Sequence, residues 1–154
     1  VIVRLATSAD FDAILSLAAE VEDLFGEMVD DPGFHKALRT HIDRSSALVA
    51  TTPDIVGGLL FDPAGPDYHL DWLVVSSHAR GTGIGSALFE SAMERFVRGS
   101  GSIEVVTFGP DHPGADARLF YERHGFHAGP MLFPGPEGGS RQMYMKWLDE
   151  VDPA

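Results

Sequence analysis

Leu70-Asp71-Trp72-Leu73-Val74-Val75 and, four residues on, Arg80-Gly81-Thr82-Gly83-Ile84-Gly85 decide how this chain is read. The first run is apolar and strand-like. The second is a glycine-rich turn, and the apolar spacing after it predicts an amphipathic helix over residues 86–98. A strand, such a turn and a helix start, in that order, make an anion site. Glycines let the backbone approach a phosphate closely, and unpaired N–H groups at the helix start point at it. Arg80 at the head of the turn adds a planar, multidentate donor. A phosphate-bearing cofactor is the expectation.

Two common phosphate motifs are excluded. A P-loop requires G-x-x-x-x-G-K-[ST], and the chain holds no Gly-Lys pair. A dinucleotide fingerprint requires G-x-G-x-x-G near the start of a βαβ unit. Here Gly81, Gly83 and Gly85 read G-x-G-x-G after at least three earlier strands. The pattern left is [Arg/Gln]-x-x-Gly-x-[Gly/Ala], carried by Arg80, Gly83 and Gly85. It resembles the pyrophosphate-binding signature of the GNAT superfamily of acyl-CoA N-acyltransferases. Ala117-Arg118-Leu119-Phe120-Tyr121-Glu122-Arg123-His124-Gly125-Phe126 resembles the later signature of the same family, A-x-x-[FL]-Y-x-x-x-G-F. Physically it is a short helix stopped by a C′ glycine, Gly125, and passing into a strand at Phe126. Both motifs stand in the family's order and at about its spacing. For the first motif taken alone, an ordinary glycine turn is the alternative.

The remaining elements follow from periodicity and turn chemistry. Residues 1–5 read as a strand, and Thr7 with Asp10 resembles a capping box. Phe11, Ile14, Leu15, Ala18, Val21 and Phe25 have helical spacing, so a first helix is expected to run to about Phe25. Residues 30–33 are a turn or cap before a second helix over 34–42. Strands are expected at 46–51, 55–62, 68–75, 103–108, 126–133 and 142–148, with the glycine- and proline-rich 134–140 too flexible for core. The succession β-α-α-β-β-β-α-β-α-β-β is a mixed α/β (α+β) sandwich. The resemblance makes this a mostly antiparallel, twisted seven-stranded sheet flanked by about four helices, with a bulged fourth strand that splays from the fifth. The 154 residues suit one domain, 1–154.

Composition narrows the function. There are no cysteines, so disulfides, thiolate nucleophiles and Cys-type zinc sites are absent from the sequence, and acyl transfer would have to be direct. This fits a cytoplasmic enzyme. No apolar run approaches the roughly 20 residues that span a bilayer, and no signal peptide is evident. The net charge is −12, from 23 acidic and 11 basic residues. Such a chain repels nucleic acid and anionic membranes. It suits a cationic acceptor, or serves solubility alone. The seven histidines show no H-x-x-x-H or H-E-x-x-H spacing, so no metal is expected.

The resemblance implies acetyl-CoA (coenzyme A) as cosubstrate, held by Arg80, Gly81, Thr82, Gly83, Ile84, Gly85 and Ser86. It also implies free backbone amides at Leu73, Val74 and Val75 for pantetheine and the thioester oxygen, and Tyr121 as the acid that protonates the thiolate. A phenol and an alkyl thiol have similar ordinary pKa values, so that transfer is not strongly uphill. Alternation places Tyr68, Leu70, Trp72 and Val74 on one face of the strand and His69 and Asp71 on the other. Asp71 ranks first as base, directly or through water, then His69. Glu20, Glu22 and Glu27 are alternatives, a solvated strand face explains the same residues, and water alone can relay the proton. Ile84 is expected to pack inward with Leu88, Phe89, Ala92, Met93 and Phe96. Where the family often has an asparagine seven residues before the tyrosine, this chain has Gly114. His112 in the same loop reads as a surface histidine, and that cofactor contact passes to backbone, Asp111 or His112.

The leading reading is N-acetyl transfer to a small-molecule or peptide amine, with a small amine or polyamine-like acceptor preferred over a protein N-terminus from the acidic first helical region. A non-catalytic acyl-CoA-binding module is the alternative, and a magnesium-dependent nucleotide enzyme the third. C-terminal strands can pair between copies in the family, so a homodimer is compatible with the resemblance.

Overall fold

A computed structural model describes residues 1–149. The first strand, β1 (Ile2–Leu5), leads through one 3₁₀ turn (Ser8–Asp10) into helix α1 (Phe11–Ala19). Asp10 accepts the Thr7 N–H at 2.8 Å, the reciprocal half of the expected capping box, and also takes both Arg4 guanidinium nitrogens at 2.8 and 2.9 Å. The helix does not run to Phe25. Val21 leaves helical geometry (φ −123°, ψ 13°), and a separate turn of helix, α2 (Glu22–Phe25), follows. The break has a local cause: the Glu20 carboxylate is drawn to the end of the fourth strand, where it accepts from the Ser76 hydroxyl and the Ser77 N–H.

Helix α3 (Pro32–Asp43) starts on Asp31, whose side chain accepts the Gly33 and Phe34 N–H groups, with proline at a position that needs no donor. Then come β2 (Ala47–Thr51), β3 (Ile55–Asp62), β4 (Asp67–Val75), α4 (Ile84–Phe96), β5 (Gly101–Phe108), α5 (Ala117–Arg123), β6 (His127–Leu132) and β7 (Arg141–Leu148). The seven strands form one sheet in the order β1-β2-β3-β4-β5-β7-β6. Each neighbouring pair is antiparallel except β4 with β5, which is parallel. Two cores result. Ile14, Leu17, Ala18 and Leu38 of α1 and α3 cover one face, while Ile84, Leu88, Phe89 and Ala92 of α4, with Tyr121 of α5, cover the other. The expected inward stripe of α4 is thus observed.

Two irregularities in β4 create the site. First, β3 pairs Leu60 with Trp72 but Phe61 with Leu70, so Asp71 is an extra residue, a β-bulge. The bulge reverses the side-chain phase. Tyr68 and Leu70 enter the α4–α5 core, whereas Trp72 and Val74 enter the α1–α3 core. The expectation that these four share a face is corrected: all are buried, two on each side of the sheet. Second, β4 and β5 pair only between residues 67–70 and 102–105. Both strands continue, to Val75 and Phe108, and separate as they go. Among the described residues no helix is long and apolar enough to cross a membrane.

Candidate active site

The separation of β4 from β5 leaves backbone groups without a ladder partner. Ser76 N–H bonds to Val56 O at 2.7 Å on β3. Antiparallel bonding alternates, so Val74 also faces β3, and Leu73 and Val75 turn their N–H and C=O groups into the gap. Arg80 Nε reaches the Val75 carbonyl at 3.3 Å from that side. The gap opens into a cavity of about 430 Å³. Its wall includes Leu73, Val75 and Val74, which belong to opposite cores, so the cavity passes through the sheet from the α4–α5 face to the α1–α3 face.

At the α4 end the cavity is an anion cradle. Gly81 and Gly83 have φ of +77° and +84°, and a Cβ at either would stand in empty space. Gly83 is the N-cap of α4, with no side-chain cap. The first bond within the helix is Ala87 N–H to Gly83 O at 3.0 Å, so the N–H groups of Ile84, Gly85 and Ser86 have no intrahelical partner. Gly85 packs closely: a Cβ there would come within 3.2 Å of the Phe120 ring. The Ser86 hydroxyl meets His124 Nε2 at 2.9 Å. Burial between Phe89 and Phe120 holds the His124 imidazole below its ordinary pKa. Donors without an intrahelical partner, positive-φ glycines and a thirteen-residue helix dipole at one point fit a diphosphate.

Tyr121, on α5, lies in the cavity wall and is buried. Desolvation pushes its hydroxyl pKa well above the ordinary 10.0, so the phenol is neutral across the physiological range. The structure thus brings together Leu73, Val74, Val75, Arg80, Gly81, Gly83, Ile84, Gly85, Ser86 and Tyr121 in one wall. It does not bring in Thr82 or Asp71. Thr82 turns its hydroxyl back to the Ala79 carbonyl at 2.6 Å. Asp71 lies on the α3 side, with Oδ2 3.0 Å from His41 Nε2 and its side chain 44% exposed. His69 stands 3.7 Å from Glu104.

The acidic residues of the first helical region are engaged elsewhere. Hydrogen bonds from Ser77 and Ser76 hold the Glu20 carboxyl below its ordinary pKa. The Met28 and Val29 N–H groups, at 2.7 and 3.1 Å, do the same for Glu22. Glu27 is exposed and outside the wall.

The sequence pattern shows Val21 and Phe25 only as apolar positions of a helix, and His112 reads as a surface residue. Val21 and Phe25 pack with the α1–α3 core and, with Leu24, also line the cavity. His112 is buried, a correction: its ring stacks on Phe108 at 4.1 Å, and its Nε2 meets Glu137 at 2.9 Å. Burial works against ionisation of Glu137, but Arg141 and His112 outweigh it and hold its carboxyl at about 2. The 134–140 segment is therefore clamped onto the β5–α5 loop. Gly114 has its own reason: a Cβ there would stand 2.6 Å from the Phe108 ring, so an asparagine side chain has no room. Asp111 is taken up by Ser140. No local pattern in the sequence announces these partners, because they are brought together from distant segments.

The described residues include no cluster of three or more His, Asp or Glu side chains able to hold a metal.

Comparison with known proteins agrees with this geometry. A family model described as an acetyltransferase (GNAT) domain matches residues 43–128. A ribosomal-protein-alanine N-acetyltransferase from Brucella melitensis is 25% identical, with a TM-score of 0.73 over 96% of this chain and 100% of its own. Ard1 from Thermoplasma volcanium is 16% identical, with a TM-score of 0.77 over 97% of this chain and 98% of that one. The NatC complex bound to Gag peptide and CoA includes a chain 18% identical, with a TM-score of 0.71 over 96% of this chain and 98% of that one. No curated protein sequence matches significantly. The glycine cradle at the head of α4, the splayed strands and the matched domain together place this chain in the GNAT acetyltransferase family.

Proposed function

We propose that this protein transfers an acetyl group from acetyl-CoA to a primary amine by direct attack, with both substrates held in the cavity. The observation that carries the reading is a single passage through the sheet with an anion cradle at one end and a protonated phenol in its wall. Acetyl-CoA, when bound, supplies an activated acetyl thioester. The CoA named with the similarly folded NatC chain supports the same cosubstrate here.

Arg80 and the N–H groups of Ile84, Gly85 and Ser86 receive the diphosphate. The Leu73 and Val75 backbone groups hold the pantetheine arm in strand fashion and donate to the thioester oxygen. An oriented donor aimed at developing oxyanion charge contributes a factor of about 10² to 10³ in rate. The amine nitrogen bonds to the carbonyl carbon as the carbon–sulfur bond breaks, and Tyr121 gives its proton to the departing sulfur. Burial makes Tyr121 a weaker acid than a free phenol but keeps it fully protonated beforehand. The proton lost by the amine leaves through water and returns the balance to Tyr121. Among the described residues of the wall, the one carboxylate is that of Asp116, exposed at the start of α5. We assign Asp71, open to water on the α3 side, as the far end of the relay.

Calorimetry with CoA and acetyl-CoA, paired with a thiol-release assay over a panel of amines, tests the reading. Micromolar binding with amine-dependent thiol release is expected. Binding without release would favour an acyl-CoA-binding module, and no binding would end the assignment.

A further inference from the structure

The charge of the whole chain points to a cationic acceptor, but the cavity does not share that charge. Its mouth on the α1–α3 side is where an amine can reach a thioester held from the α4 side. There the wall includes Val21, Leu24 and Phe25, with the Phe25 ring packed on that of Phe108, their centroids 4.9 Å apart. The carboxylates nearby in sequence are committed. Glu20 is bound by Ser76 and Ser77, and Glu22 by two backbone N–H groups. Glu137 is bound by Arg141 and His112. The Arg141 guanidinium of that ion pair is buried, sits 5.0 Å over the Phe108 ring and reaches toward the Phe25 carbonyl, so the charges beside this mouth are already paired.

We propose that the acceptor is a primary amine on an apolar body, either a free arylalkylamine or a peptide beginning with an apolar residue, and that Leu24 and Phe25 select it. This rests on the acetyl-transfer reading and narrows its substrate class. An apolar body gains from burial against these side chains. A polyamine would have to bring a second ammonium group against an apolar wall, with the Glu20, Glu22 and Glu137 carboxylates already bound and the one carboxylate of the wall, Asp116, standing at the start of α5.

The test titrates phenethylamine, the tripeptide Leu-Gly-Gly and spermidine into CoA-saturated protein by calorimetry, with thiol release measured in parallel. At least one apolar amine should bind tenfold or more tighter than spermidine, and the stronger of the two identifies the source. Leu24→Glu should narrow or reverse that ratio by tenfold, and Phe25→Ala should weaken the apolar amine by about fivefold. CoA titration of each variant reports whether its fold and cradle are intact. Spermidine binding as tightly as the apolar amines overturns the inference alone, as does CoA-loaded protein that takes up none of the three. Failure of the wild-type protein to bind CoA overturns the acetyl-transfer reading and this inference with it.

Discussion

Replacing Gly83 by alanine separates the cradle from the fold. Gly83 has φ +84°, where an L-residue costs roughly 1–2 kcal/mol. No atom lies within 4 Å of the added Cβ, so the free protein suffers that strain and no clash. For a chain of this size each kcal/mol is worth about 2–4 °C in Tm, so a fall of roughly 2–8 °C is expected. The methyl group would project into space that the diphosphate needs. One hydrogen bond to a charged group contributes about 1.5–3 kcal/mol, so CoA affinity should fall about 10- to 100-fold. Gly99 supplies the matched control. It too has a left-handed φ, +79°, with no atom near its added Cβ, and it lies outside the cavity wall. Gly99→Ala should lose similar stability and no CoA affinity. Thermal melts and calorimetry on the pair decide the matter: if both variants bind CoA like wild type, the turn is not the cradle.

Tyr121→Phe should lower kcat about 10- to 100-fold with the KM for acetyl-CoA within threefold. Because burial raises the Tyr121 pKa, the alkaline limb it governs should lie above pH 10, and wild-type turnover by the variant would remove the phenol from the reaction. Asp71→Asn should lower kcat about tenfold and leave CoA affinity unchanged, measured by thiol release and calorimetry; an unaltered kcat would end its place in the relay. Asp10, held at about 2 by Arg4, stabilises the fold at pH values above its unfolded pKa near 4 and ceases to as pH falls from about 4 to about 2. Discounted for the exposure of Arg4, Asp10→Asn should cost about 1–2 kcal/mol at pH 7 and flatten the acid side of a denaturation series between those values. Gly114→Asn, which would restore the residue often found in the family, should instead destabilise by about 1–3 kcal/mol in urea, because its Cβ would collide with Phe108.

What was legible in the sequence is what backbone chemistry makes local. Gly81, Gly83 and Gly125 sit at positive φ, where glycine is the residue of choice, so the turn before α4 and the end of α5 could be read directly. The apolar periods of α1 and α4 fixed their buried faces. The bulge was hidden because β4 is buried on both faces. A run such as Tyr68, Leu70, Trp72 and Val74 keeps its every-other-residue pattern whether or not the phase reverses. The fate of Glu20 was hidden for another reason: its hydroxyl partner, Ser76, lies 56 residues away. An acidic run says how much charge a segment holds, not which dipoles neutralise it. That is why the engagement of Glu20 and Glu22 could not be read from the charge of residues 20–27.

The extra residue in β4 carries a trade-off. Without Asp71, Leu70 and Trp72 would be adjacent and opposite Phe61 and Leu60, their present partners, in an unbroken ladder. Bulges bend and twist the strand that bears them, so the excised chain would straighten alongside β5 and seal the sheet. A one-residue deletion should therefore yield a molecule that melts no lower and yet has no doorway from one side of the sheet to the other. Aperture, on this view, is set by strand length rather than by any side chain.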